Sequence, residues 1–218
     1  MRPFLLVVLA ACGTHDTSAA DAQMGTTDGR ATADAGAGAA DATTAPVPAI
    51  LNGSFEHTSL SVACHSNLSN AELTEAVDHV TAFGAYDQPD LYIDGCYGSE
   101  SSDGTFHVGL GATTVTDAIA LELSTPLTAG VRYRIRFMAH HGETGGATST
   151  VVEVGVSTQP TSFGVLIGST PQLPAAPPSP YTFDHIATTA ATYVTLRVAI
   201  DGDLGWAMID DVRLEPVE

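Results

Sequence analysis

From Val131 to Phe137 the chain alternates without a break: Val131, Tyr133, Ile135 and Phe137 are apolar, and Arg132, Arg134 and Arg136 stand between them. A strand sends successive side chains to opposite faces, so this stretch is a strand with one buried and one charged face. The same period of two recurs at Ile119, Leu121 and Leu123, at Val152, Val154 and Val156, and at Val194, Leu196, Val198 and Ile200. All of these are expected to point inward. Clusters of Gly, Pro, Ser and Asp separate the runs, which predicts half-buried antiparallel strands joined by turns. Further short strands are expected near 50–56, 79–84, 90–95, 104–110, 162–167, 181–187 and 206–214. About ten such strands predict an all-β fold, an antiparallel β-sandwich of jelly-roll type. One short helix is expected from Asn70 to Val80, capped by Asn70, with Glu72 and Glu75 in its first turns. The proline-rich run from Pro171 to Pro180 is expected to be an extended loop.

Strand-like composition begins at Ala49-Ile50-Leu51, and residues 49–218 are long enough for one substantial core. Residues 12–48 are mostly Ala, Thr, Asp and Gly without apolar periodicity, and are expected to be a disordered linker. At about 5–6 Å times the square root of its length, such a linker holds the domain roughly 30–35 Å from its anchor. Before it, Arg2 is followed by the apolar run from Phe4 to Ala11, too short to span a bilayer, which takes about 20 residues. The run ends in Leu9-Ala10-Ala11-Cys12.

That segment resembles a bacterial lipoprotein signal, which implies removal of residues 1–11 and lipidation of Cys12. Acyl chains at one cysteine would then attach the chain to a membrane without a helix. Gly13 after the cysteine resembles lipoproteins sent to the outer membrane of a Gram-negative envelope. With Cys12 so used, Cys64 and Cys96 remain; they either pair in an oxidising compartment or persist as buried thiols. The chain has no lysine, seven arginines against 25 acids and a formal charge of -18, so nucleic acid and anionic lipid headgroups are poor partners.

The domain opens with Leu51-Asn52-Gly53-Ser54-Phe55-Glu56 and closes with Trp206-Ala207-Met208-Ile209-Asp210-Asp211-Val212-Arg213-Leu214. These ends resemble the jelly-roll domains of the galactose-binding-like group, several carbohydrate-binding modules among them. Members open with Asn-x-x-Phe-Glu and close with Ile-Asp-Asp-Val-x-Leu. The stretch Gln88 to Cys96, after Leu73-x-x-Ala76, resembles a variant on bacterial cell surfaces in which a cysteine pair brackets this region. The resemblance implies a non-catalytic domain that binds glycan or another surface component, and a structural calcium near the meeting of first and last strands. The residues matching that calcium site are Glu56 and Asp210. Parity adds that Asp210 shares a face with Met208, Val212 and Leu214, and an inward carboxylate needs either a cation or donors. Calcium would serve, and so would backbone N–H groups at the rim of the sandwich.

No motif of nucleophilic or phosphate chemistry is present. His140-His141-Gly142-Glu143 reads as a polar loop past a strand, its two histidines facing opposite ways and lacking helical ligand spacing. Asp87, Asp90 and Asp94 are the carboxylates from which a hydrolase pair would be drawn. Arg132, Arg134 and Arg136 are expected to pair across strands with acids such as Glu122, with recognition of acidic sugars as the other reading. Trp206 is expected in the core. Tyr86, Tyr92 and Tyr97 lie near the cysteine pair and are the candidate binding edge. The expected partners are a glycan or, alternatively, another envelope protein.

Overall fold

The structure is a computed structural model; it describes residues 46–142, 150–200 and 204–218, which lie in the unit Thr44–Glu218. The leader, Cys12 and the linker up to residue 45 lie outside the described residues, as does Glu143.

Two antiparallel sheets face each other. The first has six strands in the order β1 (His65–Asn67), β3 (Asp90–Ile93), β4 (Phe106–Ala112), β11 (Gly205–Pro216), β6 (Arg132–His141) and β9 (Ser179–Ile186). The second has five, in the order β2 (Val80–Gly84), β5 (Asp117–Glu122), β10 (Tyr193–Val198), β7 (Val152–Ser157) and β8 (Val165–Ser169). The alternating runs supply the core between them: Tyr133, Ile135 and Phe137 from β6 meet Ile119, Leu121, Val154, Val156, Val194 and Leu196 from the opposite sheet. The sandwich expected from period two is the architecture observed.

Four local expectations are corrected. The helix α1 runs only from Asn70 to Ala76, and Ser69 caps it. Ser69 Oγ accepts from the Glu72 amide while Glu72 Oε2 accepts from the Ser69 amide at 2.7 Å, a capping box that needs the acid three residues past the cap. Asn70 is already inside the helix. Ile200 is 54% exposed because β10 ends at Val198. His140 and His141 are no loop but the end of β6, where their opposite facing holds.

The opening segment 50–56 is not a strand. Ile50 makes one bridge to Leu123, and the chain then turns. Asn52 ties the turn down: its amide donates to the His57 and Asp78 carbonyls, and its Oδ1 accepts from the His57 amide. Gly53 accepts from the Val212 amide at 2.9 Å, and a Cβ at Gly53 would overlap the Val212 carbonyl. This close approach requires glycine.

Val212 is free to bond Gly53 because β11 bulges there. Asp211 takes φ of 51°, and pairing with β6 shifts register between Asp210 and Arg213. A bulge adds one residue and so reverses which face the following side chains address. Ala207 and Ile209 before it, and Val212 and Leu214 after it, enter the main core. Trp206 and Met208 lie on the other face, in a second cluster with Tyr92 and Cys96. Asp210 therefore shares a face with Trp206 and Met208 but not with Val212 and Leu214, and Trp206 is buried outside the main core.

Candidate functional site

The outer face of the six-stranded sheet is not open to solvent along its whole width. A strap from Asp94 to Thr105 crosses it and buries the second cluster. Cys64 and Cys96 are joined, Cα to Cα 5.1 Å, which fixes the strap to the segment before β1. A tight turn follows, with Gly95, Tyr97 and Gly98 at φ of 77°, 51° and 74° and the Ser99 amide on the Cys96 carbonyl. Two carboxylates hold the rest. Asp210 Oδ2 accepts from Ser101 Oγ at 2.9 Å and from the Ser102 and Asp103 amides at 2.6 and 2.9 Å, while Oδ1 accepts from the Asp211 amide. Glu56 Oε1 accepts from the Thr105 and Phe106 amides at 2.7 and 2.6 Å. Burial pushes the Asp210 carboxyl upward against the pull of those donors.

These contacts decide how the two carboxylates are used. N–H dipoles point their positive ends at the same oxygens that a calcium ion would need, and Asp210 has donors on both of its oxygens. Asp210 is thus engaged through both oxygens and Glu56 through Oε1. Of the two expectations for Asp210, backbone donors are the arrangement present. Among the described residues, three His, Cys, Asp or Glu ligand atoms gather within 4.8 Å at Cys64, His65 and Cys96, where the sulfurs are already bonded to each other.

Beneath the strap lies a polar layer. Ser99 Oγ is 2.6 Å from His107 Nε2 and 3.2 Å from His140 Nε2. His107 is 1% exposed and His140 2%. Burial pushes both imidazoles down to about 4, helped for His107 by the charge of His140 and for His140 by that of His141. Both rings are therefore neutral at physiological pH. Tyr92 stacks between His65 and His107, with ring centroids 5.3 and 5.5 Å away. The Trp206 ring lies over Gly111, where a Cβ would run into it. A cavity of about 30 Å³, room for one water-sized guest, opens beside Tyr92, Tyr97, Ser99, His140 and Met208.

The three tyrosines fare differently. Tyr97 is 66% exposed at the lip of this cavity and meets His65 edge-on at 5.1 Å. Tyr86 is half-buried against the second cluster. Tyr92 is buried, contrary to its expected exposure, because the strap and His65 cover it. The structure does bring all three to one side of the sheet.

Farther along the same face, Arg136, Met138, Pro180, Thr182, Asp211 and Arg213 line a shallow groove of about 200 Å³. Two of the three arginines in the row, Arg134 and Arg136, are paired with acids, though not with Glu122. Arg134 makes a two-pronged contact with Asp184 at 2.7 and 2.9 Å, and Arg136 meets Glu215 at 3.0 Å. Glu122 pairs instead with His79, and Arg213 with Asp211 and Asp103.

Asp87, Asp90 and Asp94 are separated by their environments. Asp87 accepts from the Asn70 amide and Asp94 from the Ser101 amide. Asp90 is 4% exposed; Tyr92 donates to its Oδ2 at 3.2 Å, and its Oδ1 has no partner. Burial, aided by the nearby Asp117 charge and opposed by the Tyr92 bond, pushes Asp90 up to about 7. Between about pH 4, its unfolded value, and pH 7 the folded chain holds a proton that the unfolded chain does not. Wild-type stability contributed by Asp90 therefore falls as pH rises through that window. The Asp90→Asn variant keeps an acceptor for Tyr92 and cannot ionise. Its melting temperature relative to wild type is expected to climb by several degrees from pH 4 to pH 7, then level off. A constant difference across pH 4–8 in thermal melts would refute this.

No family model matches the chain, and no curated protein matches it. Solved structures of similar outline include the Stig cyclase Fisc from Fischerella sp. TAU, at 14% identity and TM-score 0.45, covering 79% of this chain and 100% of that one. The family 11 carbohydrate-binding module of Lic26A-Cel5E from Clostridium thermocellum matches at 10% identity and TM-score 0.43, over 72% of this chain and 97% of that one. The CBM22-1–GH10 segment of xylanase 10B from the same organism, complexed with xylohexaose, matches at 15% and 0.43, over 79% of this chain but 28% of that one. Likenesses this distant carry no argument about function. The fold class, an all-β antiparallel sandwich, rests on the two sheets themselves.

His107, His140 and Ser99 were not singled out together by sequence. A signal for His107 was present: in Phe106-His107-Val108-Gly109-Leu110-Gly111 the face opposite Val108 and Leu110 carries one histidine and two glycines. A strand face that small makes room for something laid upon it.

Proposed function

We propose that this chain is a non-catalytic glycan-binding sandwich, carried on the outside of a bacterial cell by lipid at Cys12, with Tyr97 as its stacking platform. The observation that carries the reading is Tyr97 itself. A large aromatic ring 66% exposed is held by a turn that a disulfide and left-handed backbone pin in place. His65 buttresses its edge, and the Ser99 and His140 cavity opens beside it. An apolar ring face next to buried polar groups suits a pyranose, whose CH groups stack while its hydroxyls find donors and acceptors. Fixing the ring before binding reduces the ordering cost. Attachment through Cys12 is supported by the run Leu9-Ala10-Ala11-Cys12.

A second reading, docking of another envelope protein, is favoured by one observation: β8 is an edge strand with Val165 and Leu166 half exposed. A glycan array separates the two. The wild-type chain is expected to bind at least one glycan class, and Tyr97→Ala to weaken that binding at least tenfold with an unchanged melting temperature. A silent array together with capture of one envelope protein dependent on Val165 and Leu166 would reverse the order. Intact mass of membrane-extracted protein reports the lipid.

A further inference from the structure

We propose that His107, His140 and Met208 form a binding site for a soft monovalent metal ion, with cuprous copper as the ion of this chemistry. The sheet order places the three side chains together. β11 runs between β4 and β6, and its Met208 pairs with Gly109 on one side and His140 on the other. His107 reaches across from β4 on the same outer face, and both imidazole Nε2 atoms converge on one point, the Ser99 hydroxyl.

Three features select the ion. The donors are two imidazoles and a thioether, a set that suits copper and is shunned by hard cations such as calcium and magnesium, which take oxygen ligands. The site is nearly dry: His107, His140 and Met208 are all buried. Asp210, which lies along the same face, is engaged on both oxygens by the Ser102 and Asp103 amides of the strap and the Asp211 amide of β11, so it is not free to neutralise a second charge. A single positive charge is cheaper to bury under those conditions than a double one. The cavity of about 30 Å³ bordered by Ser99, His140 and Met208 gives an ion a place to enter, past the exposed Tyr97.

In the metal-free chain the Ser99 hydroxyl occupies the point on which both rings converge. Binding turns that hydroxyl aside, and the ion becomes the shared partner of the two nitrogens. No electron transfer is involved, since the ion is bound in the monovalent state.

The test uses the full chain carrying Cys12→Ser, so that a free thiol does not compete, with the Cys64–Cys96 bond intact. Cu(I) is delivered anaerobically from a chromogenic chelator, and Ag(I) serves as a redox-inert probe in a parallel titration. The expected result is one equivalent bound per chain, with X-ray absorption showing nitrogen and one sulfur neighbour. Met208→Leu conserves volume, and His140→Gln keeps a hydrogen-bonding partner for Ser99, so both variants keep the fold. Each is expected to weaken Cu(I) binding at least tenfold while leaving the melting temperature within a few degrees. The proposal is overturned if the chain takes up no equivalent, or if one equivalent binds with the same affinity in both variants. Glycan binding through Tyr97 is read separately, so failure of either leaves the other standing.

Discussion

Alanine at position 210 is expected to detach the strap from the sheet and to lower the unfolding free energy by on the order of 4 kcal/mol. Asp210 is 3% exposed, and its two oxygens accept from three backbone amides and one hydroxyl. A partly buried donor that loses its acceptor costs about 1–3 kcal/mol. The strap can swing outward and hydrate some of these amides, so the sum is smaller than three full penalties. Asp210→Asn separates acceptor from charge: one amide oxygen still serves the Ser102 and Asp103 amides, while the amide nitrogen faces the Asp211 N–H. Its cost should fall between wild type and alanine. Denaturant titration gives the free energies, and limited proteolysis between Ser99 and Thr105 reports the strap. Alanine within 1 kcal/mol of wild type, with the strap still resistant, would show that Asp210 does not hold it.

What could be read in advance follows from how local each constraint is. Val131 to Phe137 betrays its strand because every second residue is buried, and that pattern is complete within seven residues. The opening segment Leu51 to Glu56 carried no such pattern; its conformation depends on where Asn52 finds the His57 and Asp78 carbonyls, a matter of tertiary placement. The last strand, expected over 206–214, runs from Gly205 to Pro216, and its facing was wrong. Nothing in Asp210-Asp211 states that Asp211 adopts positive φ, although Asp is among the residues that tolerate it. One inserted residue moved Val212 and Leu214 to the opposite face from Asp210, and so removed the parity argument for an inward cation ligand.

The same reasoning applies to the site. The Cys64–Cys96 bond was one of two options offered by the cysteine count, and it is the one formed. That Tyr86, Tyr92 and Tyr97 gather near it was legible from their closeness in the chain. Which of them is exposed was not, because the strap covering Tyr92 is held by Glu56 and Asp210, far away in sequence. The convergence of His107 and His140 on Ser99 needs the order β4-β11-β6, which no local pattern specifies.

Replacing Cys64 and Cys96 together by serine is expected to cost about 3.7 kcal/mol, the chain-entropy value for a closed loop of this size. The two cysteines are 32 residues apart, and the loop between them contains β1, α1, β2 and β3. Most of that loop is structured without the bond, so the folded sandwich should persist at low temperature. The loss falls instead on the unfolded chain, which gains freedom, and on the turn at Cys96 to Gly98, which loses its covalent tie. These two effects are separable. Urea unfolding reads the first as a lower midpoint with a slope that does not decrease, since the unfolded chain is now more expanded. Under the proposed glycan binding, affinity measured well below the melting temperature reads the second: Tyr97 sits next to Cys96 and would have to be held in place again at each binding event, so affinity is expected to fall although its ring is unaltered. If the double variant unfolds with the wild-type midpoint, the unfolded-state account is wrong. If it binds glycan as tightly as wild type while folded, then Tyr97 is not a platform that the bond holds ready, and the stacking proposal loses its support.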